Sequence, residues 1–268
     1  MGALREPLSR PIRVVVFGGG PVLLYGIKQF ICRLEAHPDI ELTAVICQSP
    51  DPSFRGIVRD LWRRRGMLAL PLLLMFYGGR LFRFLRRPGV EIKLRRQLAR
   101  IAGRSEFVRD IHAPTVLAQV RALQADLGLI YGSPILKPAL FEIPAYGTLG
   151  IHHGKMPEYR GKKTTFWAMF NGEASAGVTI QKVNAGLDTG EIVQQGEVAV
   201  KGRSLRSVWN ELETLGLALY LQAILEIRQG TATYQPASGK KGKLYRDPGW
   251  RDILAFWRKQ VLRKLNRQ

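Results

Sequence analysis

Residues 12–17 read Ile-Arg-Val-Val-Val-Phe and run directly into Gly18, Gly19 and Gly20. A β-branched run of this kind favours extended backbone, and the glycines allow the sharp turn that must follow it. Pro21 then stands at a first helical position, with Val22, Leu23, Ile27, Phe30, Ile31 and Leu34 spaced as one helix face. His37, Pro38 and Asp39 stop that helix, and residues 40–47 form a second buried strand. Strand, glycine turn, helix and strand in this order make a βαβ unit. The chain is therefore expected to build an α/β, Rossmann-like fold around a mainly parallel twisted sheet.

The same rhythm continues. Residues 107–111 and 126–131 are expected as strands around a helix at 114–123, and residues 147–153 as a strand with His152 near its carboxyl end. A short helix at 164–170 is closed by Asn171 and Gly172, and strands follow at 177–183 and 191–200. A long amphipathic helix at 204–229 is capped by Ser204 and stopped by Gly230. Residues 238–249 read as a loop and 250–265 as a basic helix. This organisation implies an α/β domain over residues 1–248, with a helical insertion at 54–100, and a C-terminal basic helix at 249–268. At 268 residues and 46% hydrophobic content, the chain can bury a full core.

The charge is lopsided and localised. Against a net charge of +20, residues 55–100 hold 13 Arg and Lys with two acids, and residues 251–268 hold six with one. An anionic partner is implied, facing one insertion and one tail rather than the whole body. Within residues 54–89, arginine clusters flank fourteen uncharged residues, too few to span a bilayer and interrupted by Pro71. Two readings stand: a buried helix pair over the sheet, or an interfacial segment on anionic lipid anchored by Trp62, Phe76, Tyr77, Phe82 and Phe84. In the tail, Trp250, Ile253, Leu254, Trp257, Val261 and Leu265 form an apolar stripe at spacings of three and four. Such a stripe is expected to dock on the protein's own body, with membrane or acidic-partner contact as the alternative. Cys32 and Cys47 each lie in apolar runs without metal-ligand spacing, and residues 1–20 carry no signal-peptide pattern. Both features fit a reducing cytoplasm, with peripheral contact at the inner membrane face following from the charge.

The densest run of unusual residues is Ile-His-His-Gly-Lys-Met-Pro-Glu-Tyr-Arg-Gly at 151–161, followed by Asn-Ala-Gly-Leu-Asp-Thr-Gly at 184–190. A strand-end histidine and a distant aspartate between glycines suit a general base and its carboxylate orienter. They suit equally a hydrogen-bonded core histidine and a turn-forming aspartate. No metal is suggested by ligand spacing. Gly18, Gly19 and Gly20 at a helix start can hold a substrate phosphate or make a plain tight turn, and they fall short of a dinucleotide fingerprint.

In order and spacing, these motifs resemble the N10-formyltetrahydrofolate-dependent formyltransferase family. That family's stretch Asn-x-His-Pro-Ser-Leu-Leu-Pro-x-Tyr-Arg-Gly is similar to residues 150–161 here. Its later Trp, Asn-Gly-Glu, Gly-Val-Thr-Ile and Asp-Thr-Gly correspond to Trp167, residues 171–173, residues 177–180 and residues 188–190. The similarity runs from about residue 12 to about residue 248. It implies an enzyme in which an amine attacks the formyl carbon of N10-formyltetrahydrofolate, His152 takes the amine proton, and Asp188 raises the basicity of His152 and fixes its tautomer. The resemblance places Ser133, Pro134, Ile135 and Leu136, with Asn184, Ala185, Gly186 and Leu187, around the pterin. It places His153, Tyr159, Arg160 and Gly161 on the acceptor side, where Arg160 either steadies an anionic acceptor or braces the loop.

Three positions depart from the family pattern. Gly150 replaces the asparagine that donates to the oxyanion, Pro134 lacks an N–H where the loop offers one to the pterin, and Gly154 replaces a serine. Thr148 or His153 are the residues placed to compensate. The methionyl-tRNA enzymes of this family carry a second domain, whereas about forty residues follow the core helix here, which argues against a nucleic-acid partner. The expected acceptor is an amino sugar on a nucleotide or a lipid-linked saccharide. The alternatives are a formyltetrahydrofolate hydrolase and a catalytically degenerate scaffold that binds a partner.

Overall fold

A computed structural model describes residues 6–19, 25–48, 58–59, 62–63, 105–237 and 242–265. Gly20 and almost all of the 54–100 insertion lie outside the described residues, as do both readings of residues 54–89. The chain divides into two compact units, Arg13–Ala145, and Tyr146–Gln268 together with Met1–Ile12. The main sheet is mostly parallel and has seven strands, β3-β2-β1-β4 in the first unit and β5-β7-β8 in the second.

In the first unit, β1 (Ile12–Gly19) pairs in parallel with β4 (Leu127–Tyr131), and β2 (Ile40–Gln48) with β3 (Ser105–Val108). Val14, Val15, Val16 and Phe17 are buried on both faces of β1, which explains the unbroken apolar run. Helix α1 (Tyr25–Ala36) packs through Phe30, Ile31 and Leu34. Helix α2 (Pro114–Ala122) starts on its proline and buries Val116 and Val120. The side chain of Asp126 accepts the backbone N–H of Arg13 at 2.8 Å, tying the start of β4 to β1. A short helix, α3 (Pro138–Phe141), was not foreseen in the sequence.

In the second unit, β7 (Ser175–Lys182) runs antiparallel to both β5 (Thr148–His152) and β8 (Ile192–Ala199). The expected mainly parallel sheet is borne out, with the antiparallel pairings made by β7. Helix α4 (Thr164–Asn171) ends at Gly172, which takes φ +85°. Helix α5 (Leu205–Arg228) is capped by Ser204, whose side chain accepts from Ser207 N–H, and it packs across β7 and β8. Gly216 lets it approach the sheet, because a Cβ there would lie 2.8 Å from Ile151 and 2.9 Å from Val178.

Two expectations for the C-terminal region are corrected. Residues 243–245, read as loop, form strand β9 (Lys243–Tyr245), which pairs in parallel with β6 (Tyr159–Gly161). Alternation over three residues is too short to register as a strand, and the pairing is long-range. Helix α6 (Trp250–Leu265) is where it was expected, yet the four described residues of its apolar stripe do not dock. Among the described side chains of α6, Phe256 is the buried one, its ring tilted against that of Phe166 with centroids 4.8 Å apart, while Trp250, Ile253, Leu254 and Trp257 face outward. Phe256, inserted into the core cluster of Phe166, Met169 and Val208, anchors the helix. Among the described residues, no helix is long and apolar enough to cross a membrane.

Candidate active site

His152 ends β5 and is paired with Thr179 of β7, which places it at the carboxyl edge of the sheet. Its Nδ1 lies 3.5 Å from Asp188 Oδ1, so the two residues brought together by motif reasoning meet in space. Both side chains are largely buried. Asp188 sits at φ +49°, and its Oδ2 accepts the N–H of Gly161 at 2.8 Å while its Oδ1 accepts Gln181 Nε2 at 3.3 Å. The carboxylate is thereby aimed at the imidazole by two donors from different elements.

The other ring nitrogen is occupied as well. Nε2 of His152 lies 2.7 Å from the carbonyl oxygen of Tyr159. A carbonyl only accepts, so Nε2 carries the proton in this arrangement. The tautomer is set by the Tyr159 carbonyl, which leaves Nδ1, beside Asp188, as the ring nitrogen without that proton. Sequence reasoning had given the tautomer-fixing role to Asp188.

Gly154 makes this contact possible, since a Cβ at that position would lie 2.4 Å from both His152 Nε2 and Tyr159 O. The loop at 154–156 is pulled down by residues that motif reading missed. Thr179 Oγ1 donates to Gly154 O at 2.7 Å, and Gln195 Nε2 donates to Thr179 Oγ1 at 2.9 Å and to Met156 O at 3.0 Å. Gln181, besides its bond to Asp188, accepts the N–H of Gly190 at 3.1 Å. The available signal was Thr179 and Gln181 alternating in an otherwise apolar strand, since polar side chains buried there must find partners.

The Asn184–Asp188 segment is a closed turn. Asn184 Oδ1 accepts from Gly186 N at 3.0 Å and from Thr189 Oγ1 at 2.9 Å, and its Nδ2 donates to Thr189 O at 3.0 Å. Arg160 donates to Leu187 O at 2.6 Å through Nη2 and at 3.2 Å through Nε, so it braces this turn. Ala185 and Leu187 lie on the outside of the turn, exposed. Tyr159 turns its ring away from His152. Its hydroxyl donates to Glu173 at 2.6 Å and accepts from Asn171 at 3.0 Å, and burial together with the Glu173 bond pushes its ionisation well above the usual phenol range. Gly161 adopts φ +92° and supplies the N–H that Asp188 accepts.

His153 points toward α5. Its ring stacks on Trp209 at 4.4 Å, and Nε2 lies 2.8 Å from Glu213 Oε2. That contact lacks hydrogen-bonding geometry despite its length. Burial therefore outweighs the carboxylate and pushes the imidazole down to about 4, with neighbouring His152 adding to the effect. At Gly150 a Cβ would meet, among the described residues, only Val183 Cγ2 at 3.4 Å. Thr148 is buried in β5.

The remaining candidates belong to the first unit. Gly18 and Gly19 end β1, and a Cβ at Gly19 would lie 2.9 Å from both Gly132 O and Pro134 Cδ. Close approach of the Pro134 loop accounts for Gly19 without a bound phosphate. In that loop Ser133 Oγ bonds Pro134 O, Leu136 is buried and Ile135 is exposed. Among the described residues, no group of His, Cys, Asp and Glu is arranged to hold a metal.

The architecture is the Rossmann-like fold of the formyltransferases. A sugar N-formyltransferase from a Shewanella species shares it with TM-score 0.59 at 14% identity, over 92% of this chain and 87% of that one. Glycinamide ribonucleotide transformylase 1 from Symbiobacterium toebii does so with TM-score 0.56 at 17% identity, over 83% and 90%. Residues 100–224 match the family model described as Formyl transferase. A methionyl-tRNA formyltransferase from Geobacter metallireducens is 33% identical over 125 residues, 46% of this chain and 40% of that protein. The chain thus spans about two-fifths of the length of such curated relatives.

Proposed function

We propose that this protein transfers the formyl group of N10-formyltetrahydrofolate to a primary amine, with His152 and Asp188 as the acid-base pair. The observation that carries the reading is the 3.5 Å approach of His152 Nδ1 to Asp188 at the end of β5, inside the segment matched by the family. Attack of the amine nitrogen on the formyl carbon forms a C–N bond and a tetrahedral oxyanion. Breaking the bond from that carbon to N10 then releases tetrahydrofolate. The amine loses one proton and N10 gains one. His152 holds that proton in transit at Nδ1, where the Asp188 carboxylate stabilises the imidazolium.

The acceptor is an amino sugar on a nucleotide or a lipid-linked saccharide. Fold-level similarity to sugar N-formyltransferases over most of both chains supports that class. The decisive experiment mixes purified protein with N10-formyltetrahydrofolate and a panel of nucleotide-linked amino sugars, and follows the sugar by mass spectrometry. A gain of one formyl group, abolished in His152→Ala, is expected. Formate release with every amine left unmodified would instead indicate hydrolysis.

Two observations favour a second reading, a degenerate scaffold that binds a partner. Gly150 offers no side-chain donor for the oxyanion, and the Tyr159 carbonyl already takes the Nε2 proton of His152. Under this reading the protein binds no reduced folate in calorimetry, and His152→Ala retains full biological activity.

A further inference from the structure

We infer that the outward face of α6 is a docking surface for an anionic lipid bilayer. The inference does not depend on the formyl-transfer reading. Trp250, Leu254 and Trp257 are 71%, 64% and 61% exposed, with Ile253 beside them, at positions i, i+4, i+7 and i+3 of one helix. At 100° per residue these four side chains fall on one stripe. They are a contiguous apolar face rather than scattered surface residues.

The opposite face is already committed. Phe256 is 3% exposed and packed on Phe166, and Lys259 donates to Phe170 O at 3.2 Å with its ammonium 4.0 Å from the Phe170 ring centroid. Asp252 accepts Gly249 N–H at 2.9 Å at the start of the helix. Rotating the stripe inward would break the Phe256 and Lys259 attachments, so α6 is held with these apolar residues facing out.

Charge selects the occupant. Residues 251–268 carry six basic side chains and one acid, and exposed Arg251 and Arg258 flank the stripe along one side. The Arg251 guanidinium lies 5.2 Å from the Trp250 ring centroid, which keeps a cation beside the outermost aromatic. Two tryptophans and two aliphatic residues bordered by arginines match the boundary between anionic headgroups and acyl chains, where indole rings and cationic side chains both reside. A phosphate backbone such as that of RNA would use the arginines and leave Leu254 and Ile253 without a role.

Co-sedimentation tests this with vesicles of phosphatidylcholine alone and of an equimolar mixture with phosphatidylglycerol. The full chain is expected to sediment with the anionic vesicles at low salt, with a blue shift of tryptophan emission, and to stay in the supernatant with the neutral ones. Trp250→Ser/Leu254→Ser/Trp257→Ser should weaken vesicle binding by at least about tenfold while leaving the circular dichroism melt unchanged. If that variant does not fold, Arg251→Gln/Arg258→Gln provides the test, with about fivefold lost for each charge. Absence of wild-type binding, equal binding to neutral vesicles, or unchanged binding by either folded variant would overturn the inference. So would retention of tRNA that the triple variant loses, which would assign the face to nucleic acid.

Discussion

The carbonyl oxygen of Tyr159 lies 2.7 Å from Nε2 of His152, and a side chain at Gly154 would strike both atoms. The loop glycine and the histidine tautomer are therefore one feature of the site. Gly154→Ala must push apart a backbone carbonyl and a buried ring. Overpacking of this kind costs about 1–3 kcal/mol. Chemical denaturation should show that loss, and nitrogen-detected NMR of the imidazole should show the Nε2 tautomer preference relaxed. An unaltered tautomer in a destabilised variant would mean that Tyr159 does not set it.

Asp188 faces His152 with one oxygen and the N–H of Gly161 with the other. Asp188→Asn retains an acceptor for Gly161 and removes the charge that, in the proposed reaction, stabilises the imidazolium. Formyl transfer should fall by about 10²–10⁴-fold with little change in melting temperature. A comparable fall in stability would show the carboxylate to be mainly a brace for the loop.

In the proposed reaction, Gly150 is the position where the formyltransferase pattern carries an asparagine donor to the oxyanion. Its φ is not in the left-handed region, and among the described residues only Val183 Cγ2 at 3.4 Å limits a Cβ there. Gly150→Asn is therefore sterically admissible, and it should raise the turnover of the proposed reaction by up to about 10²-fold. Equal or lower turnover in a folded variant would show that the oxyanion does not form on this face of β5.

Gln181 bonds both Asp188 and Gly190 from within β7. Removing it with Gln181→Leu leaves the Gly190 N–H without an acceptor and Asp188 with one donor fewer, at a cost of about 1–3 kcal/mol. Because Gln181 acts through Asp188, the pH profile of turnover should shift as well. Lowered stability with an unmoved profile would confine the residue to a structural role.

The sequence revealed what local periodicity controls. β1 and β2 were legible from β-branched runs buried on both faces, and α5 from its Ser204 cap and a stripe continued over many turns. The His152 and Asp188 encounter was legible only through motif order, because nothing local relates residues 36 positions apart. β6 and β9 escaped notice since three-residue strands are stabilised by each other, not by their own pattern. The exposed stripe of α6 was misjudged for a related reason. Amphipathic spacing identifies an apolar face but not what covers it, and Phe256, off the stripe, proved to be the anchor. The Tyr159 carbonyl on His152 is a backbone contact, invisible to any reading of side chains.

His153 supplies a prediction that requires no substrate. Burial pushes its imidazole down to about 4 in the folded protein, against about 6.5 for an exposed histidine in the unfolded chain. Between those values the unfolded chain binds the proton and the folded one does not, so stability rises with pH. The contribution is complete above pH ~6.5, declines as the pH falls, and is exhausted near pH ~4, a span worth about 3 kcal/mol. Glu213 acts with the opposite sign, since burial raises its carboxyl and favours the folded state while that group is protonated. His153→Gln should flatten the acid limb of the melting curve against pH relative to wild type, because the proton-binding difference is gone. Glu213→Gln should steepen that limb by removing the partial offset. Profiles that run parallel in all three proteins would mean that the histidine beside Trp209 takes up its proton over the same pH range in the folded and the unfolded chain.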